Sequence, residues 1–190
     1  GGSTAENRHN LVAESDWTAS LDQLQATCPN VRKASLVVSW FGDDLRAGNC
    51  RIAPRVESRD KVVAGENWSV ARLGRGSAAQ SSLIDGRPAY GGTPSDASVL
   101  AAIADLKARG LAVSFYPFVM MDVPVDNGRA DPWTGAPSQP AYPWRGRIVC
   151  DPAPGREGSV DATLAAGAQV ASFFGSANPL AGEWSYRRFI

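Results

Sequence analysis

The chain has 190 residues, and its 19 Lys and Arg balance 19 Asp and Glu. That length allows one complete hydrophobic core or part of a larger domain, and the neutral balance leaves no electrostatic footprint for nucleic acid or an anionic membrane. No apolar run approaches the roughly 20 residues of a membrane span, and the start, Gly1-Gly-Ser-Thr-Ala-Glu6, lacks the apolar segment of a signal peptide.

Residues 1–14 are polar, show no period and read as a linker. Ser15 or Asp16 can then cap a helix running to about Cys28, with Trp17, Leu21 and Leu24 on its buried face and Pro29 as its stop. Ala34 to Phe41 is rich in β-branched and aromatic residues and reads as a buried strand, which ends in Gly42-Asp43-Asp44. Residues 45–92 are irregular, far longer than an ordinary connection, and on an α/β scaffold such a loop is functional, interface-forming or an ordered insertion. Within it, Trp68 to Leu73 can form a short strand and Asp85-Gly86 signals a turn.

The stretch from Tyr90 to Asp122 organises the rest. Thr93 is the expected N-cap, with Pro94 in the first helical position and Asp96 three residues after the cap. Val99, Ile103 and Leu106 recur at helical spacing, Lys107 and Arg109 fill the last turn, and Gly110 provides the left-handed stop with Leu111 folding back. The nearly unbroken apolar run Ala112 to Met121 then reads as a strand covered on both faces, as in a parallel sheet or barrel. Pro117 cannot donate to a ladder, so a bulge or an unpaired edge is expected there. The run ends in Asp122, at the strand end where α/β folds place ligands and catalysts.

A second long loop covers 123–158 and carries Asp131-Pro-Trp133, Tyr142-Pro-Trp144-Arg145 and a short strand candidate at Arg147 to Cys150. Ser159 is the expected cap of a helix to about Phe174, with Leu164, Ala168 and Ala171 as its stripe, and Gly175 ends it. Glu183 to Ile190 opens a further helix without a stop signal, so the chain reads as a fragment whose next strand lies beyond Ile190. Helix, strand, helix, strand in this order places the fold in the α/β class, with a parallel sheet or a (β/α) barrel as its architecture.

Asp43, Asp44 and Asp122 would converge on one rim of such a barrel. Two carboxylates flanking a glycosidic bond, one giving a proton and one acting as nucleophile or base, are what glycoside hydrolysis needs. Trp40, Trp68, Trp133, Tyr142 and Trp144 are the candidate sugar-stacking residues. The structural alternative is that these acids bond turn amides or pair with Arg46, Arg51 or Arg145, and that the tryptophans are packing residues. Cys28, Cys50 and Cys150 have no Cys-x-x-Cys spacing and His9 is the only histidine, so neither a zinc site nor any other metal is expected. A Cys50–Cys150 disulfide and three reduced thiols both remain open. No phosphate cradle is present, Gly74-Arg-Gly76 lacks the strand-to-helix setting, and Ser35, Ser39 and Ser114 lack a G-x-S-x-G context, so no cofactor is expected and serine-hydrolase chemistry is disfavoured.

Several long phrases carry a family likeness: Ser39-Trp-Phe-Gly-Asp-Asp-Leu-Arg-Ala-Gly-Asn-Cys50, Asn67-Trp-Ser-Val70, Pro88-Ala-Tyr-Gly-Gly-Thr-Pro-Ser-Asp96, Phe115-Tyr-Pro-Phe-Val-Met-Met-Asp122, and Tyr142-Pro-Trp-Arg-Gly-Arg147 followed by Pro152-Ala-Pro-Gly155. From about Glu14 to Ile190 the chain resembles the glycoside-hydrolase-like TIM-barrel domain of the large tail-tip protein of gene transfer agents and related tailed phages. The resemblance implies the N-terminal part of a (β/α)8 TIM-like barrel with long βα loops, the first half of a barrel within a multidomain baseplate hub or host-specificity protein, in a virion tail tip assembled in the bacterial cytoplasm. It implies other tail and baseplate proteins as partners, a homo-oligomer, in particular a trimer, and contact with host cell-surface glycan. In that family a Ser-Glu pair past the equivalent of Ile190 is the natural acid candidate, and fold alone does not establish chemistry. Two expectations follow: a structural tail-tip module that touches host glycan, and an active hydrolase of cell-wall or capsular polysaccharide.

Overall fold

The computed structural model describes residues 8–63, 65–141, 147–180 and 182–190. In chain order these form α1 (Asp16–Thr27), β1 (Lys33–Gly42), the short strands β2 (Ile52–Ala53), β3 (Arg55–Val56), β4 (Ser69–Val70), β5 (Leu73–Gly74), β6 (Ala79–Gln80), β7 (Leu83–Ile84) and β8 (Arg87–Pro88), then α2 (Asp96–Ala108), β9 (Ala112–Met121), α3 (Leu164–Phe174) and α4 (Tyr186–Phe189). The fold is mixed α/β with small separate sheets. The largest sheet has the order β2-β1-β9, and β3-β6, β4-β5 and β7-β8 are two-stranded.

β1 and β9 are neighbours. The Ala112 N–H donates to the Arg32 carbonyl before β1 begins, and the Asp122 N–H donates to the Gly42 carbonyl where it ends. The residue offset is the same at both ends, which is the signature of parallel strands. A parallel pair needs a crossover, and α2 lies in that connection. β2 returns antiparallel on β1, with Phe41 opposite Ala53 and Gly42 opposite Ile52. Pro117 sits within an unbroken β9, which has β1 as its one strand neighbour among the described residues. The missing donor is therefore tolerated at an edge, without a bulge.

The described chain divides into two compact units. One gathers the chain up to Val37 with Asp60–Ser77 and Pro94–Tyr116. Its core is Leu21 from α1, Leu106 from α2 and Leu111, with Val31, Ala34 and Val113 packed against them. The Ser15 hydroxyl accepts the Thr18 N–H at 3.1 Å and starts α1, so the expected cap is found. On α1 only Leu21 of the expected face is buried. Leu24 lies out, and the Trp17 ring stays partly exposed while its Nε1 donates to Asp105 at 2.7 Å. α2 closes as its sequence prescribes: Gly110 takes φ +79°, and the Leu111 N–H donates to the Leu106 carbonyl at 3.0 Å.

The start of α2 differs from expectation. Its cap is Ser95, whose hydroxyl accepts the Ser98 N–H at 3.0 Å. Thr93 serves the other unit instead, where its hydroxyl donates to the Ser39 carbonyl at 2.9 Å and accepts the Arg55 N–H at 3.2 Å. Two hydroxyls two residues apart competed for one role, and strand bonding claimed the first.

The second unit holds Val38–Arg59, Ala78–Thr93 and Pro117–Ile190. Phe41, Ile52, Val56, Met121 and Val123 are large apolar side chains of its buried core. Coverage of both strand faces holds only here. Val37, Phe115 and Tyr116, which belong to the first unit, are 52%, 44% and 51% exposed. α3 begins at Leu164 with Thr163 as cap, later than expected from Ser159. The Asp161 carboxylate accepts the Ala162 N–H at 3.0 Å, and Ala162 turns to φ +55°, which interrupts any earlier helix. The expected α3 stripe is not buried; Leu164 is 96% exposed. Arg147 to Cys150 forms no strand, only a parallel bridge between Val149 and Arg46. All three cysteines are free thiols. Among the described residues no helix is long and apolar enough to cross a membrane.

Candidate functional site at the strand ends

Parallel pairing brings Asp43 and Asp44, which follow β1, to the same sheet edge as Asp122, which follows β9. The Asp122 N–H to Gly42 carbonyl bond of 2.9 Å locks the two ends together. The three residues thus follow adjacent strand ends, but the carboxylates of Asp44 and Asp122 are held by separate partners. What the sequence did not disclose is how fully the carboxylates are already engaged.

Asp122 is completely buried. Its Oδ2 accepts Arg55 Nη1 at 2.7 Å and the Ser82 N–H at 3.0 Å. Arg55 Nη1 also reaches the Gln80 carbonyl at 3.3 Å, so one guanidinium ties β9 to the segment after β3. Asp122 Oδ1 and the Ser81 hydroxyl are both buried without a hydrogen-bond partner among the described residues. An anion in such a place persists because a cation touches it; alone it would carry the full desolvation cost.

Asp44 is 4% exposed and more heavily bonded. Its Oδ1 accepts the Arg46 N–H at 2.8 Å, Arg46 Nε at 3.0 Å and Gln139 Nε2 at 2.7 Å, and its Oδ2 accepts Arg46 Nη2 at 2.7 Å. The Arg46 fork is thus bidentate on the carboxylate. Burial pushes the Asp44 carboxyl up, but the hydrogen bonds from Arg46 and Gln139 and the Arg46 charge together outweigh it. The group lies below its ordinary value of 3.8. A general acid needs the opposite, a carboxyl that keeps its proton near neutral pH.

Asp43 is the most open of the three, its side chain 26% exposed. Its Oδ1 accepts the Arg51 N–H at 2.9 Å and shapes the turn that follows β1. Arg129 bridges the pair: Nη1 donates to the Asp43 carbonyl, Nη2 stands 4.0 Å from Asp43 Oδ2, and Nε stands 3.9 Å from Asp44 Oδ2. The loop carrying Arg129 and Gln139 is itself held by Asn127, whose Nδ2 donates to the Gln139 carbonyl at 2.8 Å, and by Asp131, which accepts the Trp133 N–H at 2.8 Å.

Arg46 was legible as a partner because it lies two residues from Asp44. Arg51 contributes its backbone N–H to Asp43, not its charge, and Arg145 lies outside the described residues. Arg55, Arg129 and Gln139 were missed. They reach their acids across 67, 86 and 95 positions of chain, and no local spacing signals such pairs.

The aromatic candidates disperse. Trp40 is buried, stacked on Phe189 at 4.9 Å between ring centres and tilted against Trp184 at 5.8 Å; it is a core residue. Trp68 is buried in the first unit with the Arg75 guanidinium 5.7 Å from its ring centre. Trp133 keeps 39% exposure, with Nε1 donating to the Arg147 carbonyl at 3.3 Å and the Arg147 guanidinium 6.0 Å from the ring. Tyr142 and Trp144 lie outside the described residues. No His, Cys, Asp and Glu grouping suited to a metal ion occurs among the described residues.

No protein-family model matches this chain, and no curated protein matches it either.

Proposed function

We propose that this chain is a structural module of a phage or gene-transfer-agent tail tip, the N-terminal part of a TIM-like barrel that contacts host surface glycan without cutting it. The observation that carries the non-catalytic reading is the engagement of the strand-end acids. Asp122 is sealed against Arg55, and Asp44 is clamped by Arg46 and Gln139. Both use their charge to fasten long loops onto strand ends, which is scaffold work. The barrel reading is supported by two adjacent parallel strands with α2 in the crossover between them. The tail-tip assignment rests on the phrases Ser39 to Cys50 and Phe115 to Asp122, with neighbouring tail and baseplate proteins and a homotrimer as the partners it implies.

The alternative is an active glycoside hydrolase, and one feature favours it: Asp43 retains solvent access at the rim. The deciding experiment incubates the full-length tail protein with cell-wall and capsular polysaccharide and measures released reducing ends. The structural reading expects no release above buffer, for the wild type and for Asp43→Asn alike. Release that disappears in Asp43→Asn establishes the hydrolase and removes the structural reading.

A further inference from the structure

The second unit contains a cleft of about 550 Å³ between the Gly48 to Arg51 turn, the end of α3 and the segment 183–185, and it adjoins the strand-end acids through Arg51, whose backbone N–H donates to Asp43. That volume is in the range of small-molecule sites, roughly 300–1,000 Å³. Its wall depends on Gly175, which takes φ +75° and ψ −169°, a backbone state essentially restricted to glycine. A side chain there would collide with the Glu183 carboxylate and the Ser185 hydroxyl, so the glycine lets these two groups close the wall.

The polar groups of the cleft are unequally satisfied. Glu183 Oε1 already accepts the Ser176 N–H at 2.8 Å and the Ser185 hydroxyl at 2.9 Å. Hydrogen bonds from Ser176 hold its carboxyl below the ordinary value of 4.5, so it stays ionised as part of the wall. The Ser172 hydroxyl donates to the Gly48 carbonyl at 3.1 Å, which uses its proton and leaves oxygen lone pairs. Arg51 is exposed, and its guanidinium has no hydrogen-bond or ion-pair partner among the described residues. The Trp184 indole N–H likewise has none. The unspent capacity is thus a cationic fork and a neutral donor beside hydroxyl acceptors. A guanidinium fork matches a carboxylate with two parallel bonds, and serine oxygens accept from ligand hydroxyls.

We propose that this cleft binds a sugar carrying a carboxylate, a uronic-acid unit, with Arg51 on the carboxylate and the Ser172 and Trp184 side of the cleft on the ring hydroxyls. The choice of a sugar rests on the glycan-contacting reading above; the choice of an acidic one rests on Arg51.

The test is a titration of the isotope-labelled chain with D-glucuronate, followed by amide and indole NMR shifts, with D-glucose and acetate as comparison probes. The expected result is saturable movement of the Gly48, Asn49, Arg51, Ser172 and Ser176 amides and the Trp184 indole at millimolar glucuronate. Glucose and acetate should each bind at least tenfold more weakly. Arg51→Gln, an exposed substitution whose fold is checked by its spectrum, should weaken glucuronate at least tenfold. Four results overturn the site: no saturable shift, shifts that map elsewhere, an unchanged affinity in Arg51→Gln, or acetate binding as tightly as glucuronate, which marks an adventitious anion site. The readout is binding, so it is independent of the cleavage assay. Glycan cleavage by the full protein would remove the structural reading and leave this cleft to be judged by its own titration.

Discussion

At the residue scale, Asp122 and Asp44 show how one side-chain type takes opposite meanings from its surroundings. A carboxylate at a strand end reads as catalytic when it faces an open cleft and as structural when an arginine closes over it. Asp122→Ala would strip Arg55 of its counter-charge and leave its mostly buried guanidinium with only the Gln80 carbonyl, and a broken buried pair costs about 3–5 kcal/mol. Urea unfolding should show that loss as a lower midpoint. The double variant Asp122→Leu with Arg55→Met should recover much of it, since the hydrophobic replacement removes the orphaned charge together with its partner. The thiols make a second prediction. Burial pushes the Cys50 thiol up to about 12, so at pH 8 it holds almost no thiolate, whereas Cys28 is exposed. A thiol-reactive dye should label Cys28 in the native chain and reach Cys50 only after denaturant is added. The Asp44 and Arg46 pairing was readable from spacing, but the Arg55 and Asp122 pairing was not, because the two are joined only by the fold.

At the element scale, strong local signals survived and weak ones were reassigned. α1, β1, α2 and β9 lie where their patterns placed them, since each combines apolar residues at the right period with an end signal: Pro29, Asp43, Gly110 and Asp122. The cap of α2 moved because the chain offers Thr93 and Ser95 within one turn. The single Ser95 hydroxyl proton goes to Glu66, and the Ser98 hydroxyl lies 2.9 Å away, so Ser95 anchors a segment as well as a helix. Ser95→Ala should lower stability by about 1–2 kcal/mol, the range of a lost N-cap, readable by thermal unfolding. The two tight hairpins differ in their chemistry. β7 and β8 turn through Asp85 and Gly86, at φ +50° and +74°, as the residue pair demands. β4 and β5 turn through Ala71 and Arg72, at φ +48° and +70°, residues with no liking for that region. The Ala71 N–H donates to Asp96 at 2.8 Å, which ties the strained turn to the start of α2. Replacing Ala71-Arg72 by Asn-Gly relieves the strain and should stabilise the chain by about 1 kcal/mol, visible as a raised melting temperature. A fall in melting temperature would instead show that the wild-type side chains are needed for packing.

At the scale of the whole molecule, a neutral net charge conceals a specific arrangement of acids. Asp16, Asp44, Asp105 and Glu183 all lie below their ordinary values, Asp16 at about 2 through hydrogen bonds from Asn10 and His9. A depressed folded pKa means that the unfolded chain takes up protons first, so the stabilisation is complete above the ordinary carboxylate values and is lost as pH falls through the folded ones. Asp44 matters most because it is buried; the other three sit near the surface, where solvent screens them. Stability should therefore be flat from pH 7 to about 5 and drop steeply below the ordinary Asp44 value of 3.8, and Asp44→Asn should flatten that drop, as measured by urea midpoints at stepped pH. A curve for Asp44→Asn that overlays the wild type would show that this carboxylate is not the acid-sensitive link. The α/β class, the two long strands with acids at their tips and the helix that joins them follow from residue pattern alone, because period, caps and breakers act within a few positions of one another. The partner of each acid, the withdrawal of Trp40 and Trp68 into cores and the cleft beside Gly175 were decided by tertiary structure. They arise from contacts between segments tens of residues apart, and only the folded chain brings those segments within hydrogen-bond distance.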